Sequence, residues 1–267
     1  MDNRPIGIFD SGVGGLTCVK PIQKRLPHEN IIYFGDTARA PYGSKSPATV
    51  CDYSSQLTDF LIKHDAKMIV LACNTTSSVA IKKLRDDHPG IHIQGIIEPA
   101  AAYVAETCNS HNSIGILGTS VTVKSRAYEN ALFDVKKGLN VHSIACPAFV
   151  PLIEGGSAES ETMDMTVHHY LDDFVAEYHV DTLVLGCTHY PIIEKAIKRA
   201  CPGVKTINPA VALAEKVAQV LAEQNMLADE NQEAKSVYYA SDLSADFINM
   251  INFLGIDGDF SLKQHRF

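Results

Sequence analysis

The segments MIVLACNT (residues 68–75) and TLVLGCTH (residues 182–189) decide the fold of this 267-residue chain. Each is a continuous apolar run that stops at a small residue and then gives a cysteine followed by polar side chains. Strands buried on both faces of a parallel sheet have such runs, and α/β sheets bind ligands beyond the carboxyl ends of their strands. Each segment therefore predicts a buried strand that delivers one thiol, Cys73 or Cys187, to a ligand-binding edge.

Strand and helix patterns alternate along almost the whole chain, and their order restarts once. The segment PIGIF (residues 5–9) predicts the first strand, and SIGIL (residues 113–117) repeats its pattern. One of the two cysteine segments follows each of them. In the first half, the patterns also predict one helix over residues 77–87 and a strand over residues 91–97. Alternation at this spacing predicts mainly parallel sheets flanked by helices, so we expect an α/β fold with two related halves.

The composition narrows the class of protein. A net charge of −8 and an isoelectric point near 5.7 argue against binding to nucleic acid or to an anionic membrane surface. No apolar run approaches the roughly 20 residues of a membrane-spanning helix, and the N-terminus enters a strand pattern with no visible signal peptide. The seven cysteines form no C-x-x-C pair, which is typical of reduced thiols. We therefore expect a soluble, cytoplasmic protein.

A glycine-rich turn, DSGVGG (residues 10–15), follows the first predicted strand and opens a helix. It is not a dinucleotide-binding fingerprint, because Thr17 stands where a third glycine is needed, and the turn is not a G-K-[ST] phosphate loop either. Two interpretations stay open. The turn binds a carboxylate at the helix N-terminus, or it is a tight turn in which Asp10 caps the helix. Asp36 takes the equivalent place after the second predicted strand.

The two cysteines suggest proton transfer. Thiols at equivalent points of two related halves can face one small molecule from opposite sides, which suits removal of a proton from one face and delivery to the other. We expect each thiol to lie at a helix N-terminus, where the helix dipole lowers its pKa. His189, close to Cys187, can exchange a proton with that thiol or with a substrate amine.

The two cysteines have three other interpretations. Cys187 and His189 could bind zinc together with Cys73 and Asp10, but the chain lacks the paired ligand spacing usual for such sites. A Cys–His nucleophile needs only one thiol and leaves the second unexplained. The two cysteines could also simply end buried core strands, an interpretation that the polar residues after each of them weaken.

Five motifs together carry a family resemblance: IFDSGVGGL (8–16), YFGDT (33–37), PYG (41–43), LACNT (71–75) and LGCTHYP (185–191). In this order they resemble the glutamate racemases of the cofactor-independent Asp/Glu racemase family. The resemblance covers essentially the whole chain. Any one of these motifs alone would be unspecific, whereas the set is highly specific.

The resemblance implies an enzyme that interconverts L- and D-glutamate without a cofactor or a metal and supplies D-glutamate for peptidoglycan synthesis. It also implies two pseudo-symmetric α/β domains with the active site in the cleft between them. By this analogy, residues 1–97 together with 208–267 form the first domain, and residues 98–207 form the second. A homodimer is expected as well.

The resemblance also implies roles for individual residues. Cys73 would serve the D-enantiomer and Cys187 the L-enantiomer, with Asp10 and His189 supporting their respective thiols. Asp36 and Glu154 would be helpers of second rank. The residues that would hold the carboxylates and amine of the substrate are Asp10, Ser11, Pro41, Tyr42, Gly43, Asn74, Thr75, Thr119, Thr122, Thr188 and His189.

Two alternative functions remain at this point. An aspartate racemase of the same family would use the same two-cysteine chemistry. A non-catalytic amino-acid-binding regulator could be built on the same fold. The presence of both cysteines together with Asp10 and His189 argues against the regulator, since loss of one thiol would be the simplest route to an inactive protein.

Overall fold

The computed structural model describes residues 1–256 and 258–267, in which strands and helices alternate. The strands are β1 (Ile6–Asp10), β2 (Ile31–Gly35), β3 (Met68–Leu71), β4 (His92–Gly95), β5 (Ser113–Gly118), β6 (Asn140–Ala145), β7 (Thr182–Gly186), β8 (Lys205–Ile207), β9 (Lys235–Ala240) and β10 (Asp259–Gln264). The helices are α1 (Leu16–Arg25), α2 (Pro47–Lys63), α3 (Asn74–Val79), α4 (Ile81–Asp87), α5 (Ile97–Thr107), α6 (Ser120–Ser125), α7 (Ala127–Val135), α8 (Phe149–Glu154), α9 (Glu161–Tyr178), α10 (Glu194–Ala200), α11 (Pro209–Glu223) and α12 (Ala245–Leu254). Short 3₁₀ helices cover Thr37–Arg39, Tyr42–Ser44 and Tyr190–Ile193.

The strands form two parallel sheets with the same internal order. The first sheet runs β10-β9-β2-β1-β3-β4 and the second runs β6-β5-β7-β8. The order β2-β1-β3-β4 therefore recurs as β6-β5-β7-β8, which makes β5 the equivalent of β1 and β7 the equivalent of β3. Every strand pairing between described residues is parallel. The predicted α/β fold with two pseudo-symmetric halves is confirmed.

Burial explains why the cysteine segments form strands. Every residue of β1, β3 and β7 is buried, as expected for parallel strands covered by helices on both faces. The helix α11 places Leu213, Val217 and Leu221 on one buried face, at the helical spacing of an amphipathic helix. This face packs against α1 and α5, so helices from different parts of the chain share one core.

Two predicted elements differ from the structure. The helix expected over residues 77–87 is two helices, α3 and α4, and α3 begins directly after Cys73. The hydroxyl of Ser78 donates to the Thr75 carbonyl, and such local bonds compete with a continuous helix. The strand expected over residues 91–97 ends at Gly95, because Ile97 already begins α5.

The strands β8 and β10 were not predicted. β8 has only three residues, too few for a recognisable pattern. β10 lies at the edge of the first sheet and is largely exposed, so it lacks the continuous apolar run of the central strands. Within the described residues, no helix is both long enough and apolar enough to cross a membrane.

A buried ion pair lies at the opposite end of the first sheet from the cysteines. The Nζ of Lys67 is 2.5 Å from Oε2 of Glu29, and the two side chains are 0% and 2% exposed. Lys67 also donates to the carbonyls of Asp2 and Met226. These contacts join the segments that precede the strands β1, β2 and β3 with the segment that follows α11.

Loss of one partner of this pair should strongly destabilise the protein. We expect Lys67→Met to lower the free energy of unfolding by about 3–5 kcal/mol, because it leaves the Glu29 carboxylate buried without its partner. The matched control is Lys82→Met, which removes an exposed pair with Asp86 and should cost about 0.5 kcal/mol or less. Urea unfolding of both variants measures the difference. Equal stability of the two variants would contradict this account.

Candidate active site

The carboxyl ends of both sheets face one cavity. Cys73 follows β3 and Cys187 follows β7, the equivalent strand of the second sheet; Ser11 and Thr119 follow β1 and β5 in the same way. The cavity is lined by Ser11, Pro41, Tyr42, Gly43, Cys73, Asn74, Thr75, Thr119, Val150, Glu154, Cys187, Thr188 and His189. The structure thus brings together most of the residues that the sequence predicted for the site.

The cavity is narrow, with a volume of about 20 Å³, which is room for about one water molecule. Larger cavities of about 700, 480 and 410 Å³ lie at the surface, and the second of these shares Glu154 with the narrow cavity. The third is lined by His142 and His169, but no cysteine is among the described residues that line any of the three. The small cavity between the sheets is therefore the candidate active site.

Three predicted residues lie behind the lining rather than in it. Asp10 contacts Thr188, Asp36 contacts Tyr42, and Thr122 contacts Thr119 through their side chains. Val150 on α8 lines the cavity but was not predicted, because an apolar residue in a helix gives no signal of a site.

Cys187 lies at one end of a chain of polar contacts. Its sulfur is 3.8 Å from Nδ1 of His189, and Nε2 of His189 is 2.9 Å from Oε1 of Glu154. Burial by itself lowers the pKa of His189, but the hydrogen bonds with Cys187 and Glu154 outweigh it and raise that pKa to about 10. The imidazole is therefore protonated at neutral pH, which places a positive charge beside the Cys187 sulfur.

Cys73 lies in the opposite electrostatic environment. It directly precedes α3, as expected. Burial, reinforced by the nearby Asp10 carboxyl group, nevertheless raises the pKa of the Cys73 thiol to about 11. The expectation that the helix dipole lowers this pKa is wrong, because desolvation of a buried thiolate outweighs a short helix.

Asp10 connects the two halves of the site. Its carboxylate accepts from the backbone N–H of Gly12 at 3.0 Å and from the Thr188 hydroxyl at 3.3 Å. Burial raises the pKa of Asp10. Gly15, not Asp10, precedes the first residue of α1, and no side chain caps that helix. The capping interpretation of Asp10 is therefore wrong.

Two glycines allow the halves to approach closely. A Cβ atom at Gly14 would lie 2.6 Å from the Thr188 hydroxyl oxygen and even closer to the His189 ring. A Cβ atom at Gly43 would lie 2.6 Å from Cβ of Thr119. The glycine-rich turn of residues 10–15 thus allows close contact with the second half of the molecule.

Hydroxyl and amide groups complete the lining. The hydroxyl oxygens of Thr75 and Thr119 are 3.0 Å apart across the cleft, and that of Thr122 is 3.0 Å from Thr119. The Asn74 side chain is 2% exposed, and its Nδ2 has no hydrogen-bond partner among the described residues. These groups can donate hydrogen bonds to a carboxylate.

An arginine that the sequence analysis did not single out supports Tyr42. The Tyr42 hydroxyl donates to Oδ2 of Asp36, which also accepts from Nε of Arg39 at 2.6 Å. The Arg39 guanidinium lies 4.1 Å from the ring centre of Tyr53 and 4.8 Å from that of Phe267. Both rings come from segments far from Arg39 in sequence, so only the fold reveals this arrangement.

Metal binding has no support in the described part of the chain. No group of three or more His, Cys, Asp or Glu side chains there has the geometry to hold a metal ion.

Comparison with known proteins identifies the family. Residues 16–217 match the Asp/Glu/hydantoin racemase family. Because this match covers more than half of the chain, the chain belongs to that family.

Relatives within the family are glutamate racemases. The glutamate racemase of Neisseria meningitidis is 44% identical over 244 residues, which cover 91% of this chain and 90% of the relative. The crystal structure of the Francisella tularensis glutamate racemase in complex with D-glutamate superposes with a TM-score of 0.90 at 34% identity, covering 99% of this chain and 98% of that one. Isoform RacE1 of Bacillus anthracis gives a TM-score of 0.91 at 32% identity, with coverage of 99% and 98%.

The raised pKa of Cys73 links stability to pH. The unfolded chain loses this proton near pH 9 and the folded protein near pH 11, so the stabilising contribution is present below about pH 9 and is lost as the pH rises to about 11. Cys73→Ser removes the titrating group. We expect the unfolding free energy of the wild type, relative to that of the variant, to fall by about 2 kcal/mol between about pH 8 and 10.5. Urea titrations of both proteins measure it, and parallel pH curves would refute the assignment.

Proposed function

We propose that the protein interconverts L- and D-glutamate by two-base proton transfer at the α-carbon. The observation that carries the proposal is the placement of Cys73 and Cys187 at equivalent strand ends of two sheets, on one shared cavity. Acid–base catalysis of a stereochemical inversion needs one group on each face of the reacting carbon. The names of the relatives support glutamate as the substrate.

The neighbours of the two thiols suggest a role for each of them in the L-to-D direction. Cys187, beside the protonated His189, acts as the thiolate that takes the α-proton from L-glutamate. Cys73, whose pKa is raised, acts as the thiol that gives its proton to the opposite face. After one turnover Cys187 carries the proton and Cys73 has lost one, so the reverse reaction starts from this complementary state. The two thiols therefore exchange roles between the two directions.

The carbanion formed at the α-carbon needs stabilisation by the protein itself. We propose that Ser11, Asn74, Thr75 and Thr119 donate hydrogen bonds to the substrate carboxylates, where negative charge develops, and that Tyr42, Gly43 and Thr188 close the cavity beside them. Fixed donors in a site without bulk water stabilise such charge strongly. No residue in this scheme requires a cofactor.

Substrate entry requires movement of the two halves. The cavity volume of about 20 Å³ is far smaller than a glutamate molecule, so the structure corresponds to a closed cleft. We propose that residues 1–97 with 208–267 and residues 98–207 act as two domains, and that the cleft opens for binding and release. Closure around the substrate would then exclude water from the carbanion.

The cellular setting follows from the same assignment. We propose a cytoplasmic protein that supplies D-glutamate for peptidoglycan. All seven cysteines are free thiols, which is typical of reducing compartments. The homodimer implied by the family resemblance stays a prediction, and light scattering of the purified protein measures its mass.

Chiral analysis of the product tests the function directly. Purified protein, incubated with L-glutamate in EDTA and without added cofactor, should form D-glutamate. Cys73→Ala and Cys187→Ala should each lower the rate at least about 100-fold in both directions, because each direction needs one base and one acid. Cys51→Ala, which changes a cysteine of α2 outside the cavity, is the matched control and should keep wild-type activity.

Other outcomes of the same assay identify the alternatives. Faster racemisation of L-aspartate than of L-glutamate would make the protein an aspartate racemase. Binding of glutamate without any racemisation would indicate a non-catalytic regulator. Activity that chelation abolishes and metal restores would refute the two-thiol mechanism.

Isotope labelling distinguishes two bases from one. In D₂O, the D-glutamate formed from L-glutamate should carry deuterium from the earliest turnovers, because the Cys73 proton exchanges with solvent. Recovered L-glutamate should initially carry little deuterium. When the reaction starts from D-glutamate, the L-glutamate formed should carry deuterium early and the recovered D-glutamate should carry little. Mass spectrometry after chiral separation measures both pools. Early deuterium in the substrate pool, ahead of product, would indicate a single exchanging base.

A further inference from the structure

A buried tyrosine spans the two cysteine segments. Tyr128 on α7 is 1% exposed, and its ring lies against Gly186, the residue before Cys187: a Cβ atom there would be 3.2 Å from the ring. Its hydroxyl donates to Oδ1 of Asn74, the residue after Cys73, at 2.6 Å. One side chain thus contacts the backbone beside one thiol and the amide beside the other.

The phenol fixes the orientation of the Asn74 amide. Burial, with smaller effects of the nearby thiols Cys18 and Cys187, raises the pKa of Tyr128, so its hydroxyl keeps its proton and acts as a donor. The donated hydrogen bond requires an acceptor, which in an amide is the oxygen. The opposite amide orientation would leave the phenol proton without an acceptor among the described residues.

This orientation leaves Nδ2 of Asn74 free for a ligand. Nδ2 is buried and has no partner among the described residues, and Asn74 lines the cavity. Buried donors without acceptors are rare in folded proteins, and each one calls for an explanation. A carboxylate oxygen in the cavity would accept from this amide, whereas the reversed amide would turn a carbonyl oxygen towards the same anion and repel it.

We propose that Tyr128 is a positioning residue for substrate binding: its hydroxyl holds the Asn74 amide so that Nδ2 donates to a carboxylate of the substrate. The inference rests on the proposed function. Tyr128 acts only through Asn74, and it makes this binding contact dependent on the packing of α7 against the strand end that carries Cys187. A helix of the second half thereby orients a binding group of the first half.

A double-mutant cycle tests the proposal. We expect Tyr128→Phe to lower kcat/KM for both enantiomers about 10- to 100-fold, with a rise in KM as part of this loss, since one charge-assisted hydrogen bond is lost or misoriented. Asn74→Ala should have a similar or larger effect. The double variant should be no worse than Asn74→Ala alone, because Tyr128 acts through the same amide. Independent, multiplying losses would overturn the proposal, as would a Tyr128→Phe variant with wild-type KM.

Tyr238→Phe is the matched control for loss of a buried phenol. The Tyr238 ring is 0% exposed and its hydroxyl accepts from Gln23 at 3.2 Å, outside the cavity. We expect Tyr238→Phe to lower the thermal unfolding midpoint about as much as Tyr128→Phe and to leave kcat/KM within about twofold of wild type. A comparable loss of kcat/KM in both variants would show that the loss comes from removal of a buried phenol in general. It would overturn the positioning role of Tyr128.

If Tyr128→Phe fails to fold, the variant Asn74→Asp tests the same proposal. Aspartate at this position still accepts from Tyr128 but presents a second oxygen where Nδ2 was, so kcat/KM should fall further than in Asn74→Ala. Wild-type activity of Asn74→Asp would overturn the proposal.

A binding measurement tests the positioning role if the wild type does not racemise glutamate and the proposed function fails. Glutamate that binds raises the thermal unfolding midpoint of the protein, and this rise is then compared between the wild type and the variants. Equal rises in wild type and Tyr128→Phe, or no rise in either, would overturn the positioning role.

Discussion

The contact between the two sheet ends is the constraint on which the site depends. The Thr188 hydroxyl donates to the buried Asp10 carboxylate, and the Thr17 hydroxyl donates to the Thr188 carbonyl at 2.9 Å. Asp10 ends β1 and Thr17 lies in the first turn of α1, so both bonds join this part of the first half to the residue after Cys187. Gly14 makes the approach possible, since any side chain there would overlap His189 and Thr188. This contact holds the two cysteine segments at one narrow cavity.

The same contact gives the two thiols different environments. Asp10 lies close enough to Cys73 to add to the rise of its pKa, while the His189–Glu154 pair lies beside Cys187. A symmetric pair of thiols would have equal pKa values and no preferred charged member. The duplicated fold therefore places the two thiols at equivalent strand ends, and their unequal neighbours give them different electrostatic environments.

Polar contacts across the cavity join the two halves. The bond between the Thr75 and Thr119 hydroxyls and the bond from Tyr128 to Asn74 both join residues of the first half to residues of the second. Each hydrogen bond contributes only about 0.5–1.5 kcal/mol net, because water replaces the lost partner when the groups separate. A few such bonds therefore hold the two halves together only weakly.

Sequence by itself determined the strands β1, β3 and β7, the repeated order of the two halves, and the place of Cys73 and Cys187 at strand ends. These features are local: a continuous apolar run ended by a small residue is visible in eight residues. Only the tertiary structure decided the sign of the pKa shift of Cys73, the orientation of the Asn74 amide and the support of Tyr42 by Arg39. The first two depend on burial and on partners distant in sequence, and the third depends on the Phe267 ring that packs against Arg39. Electric fields and packing contacts act through space and not along the chain.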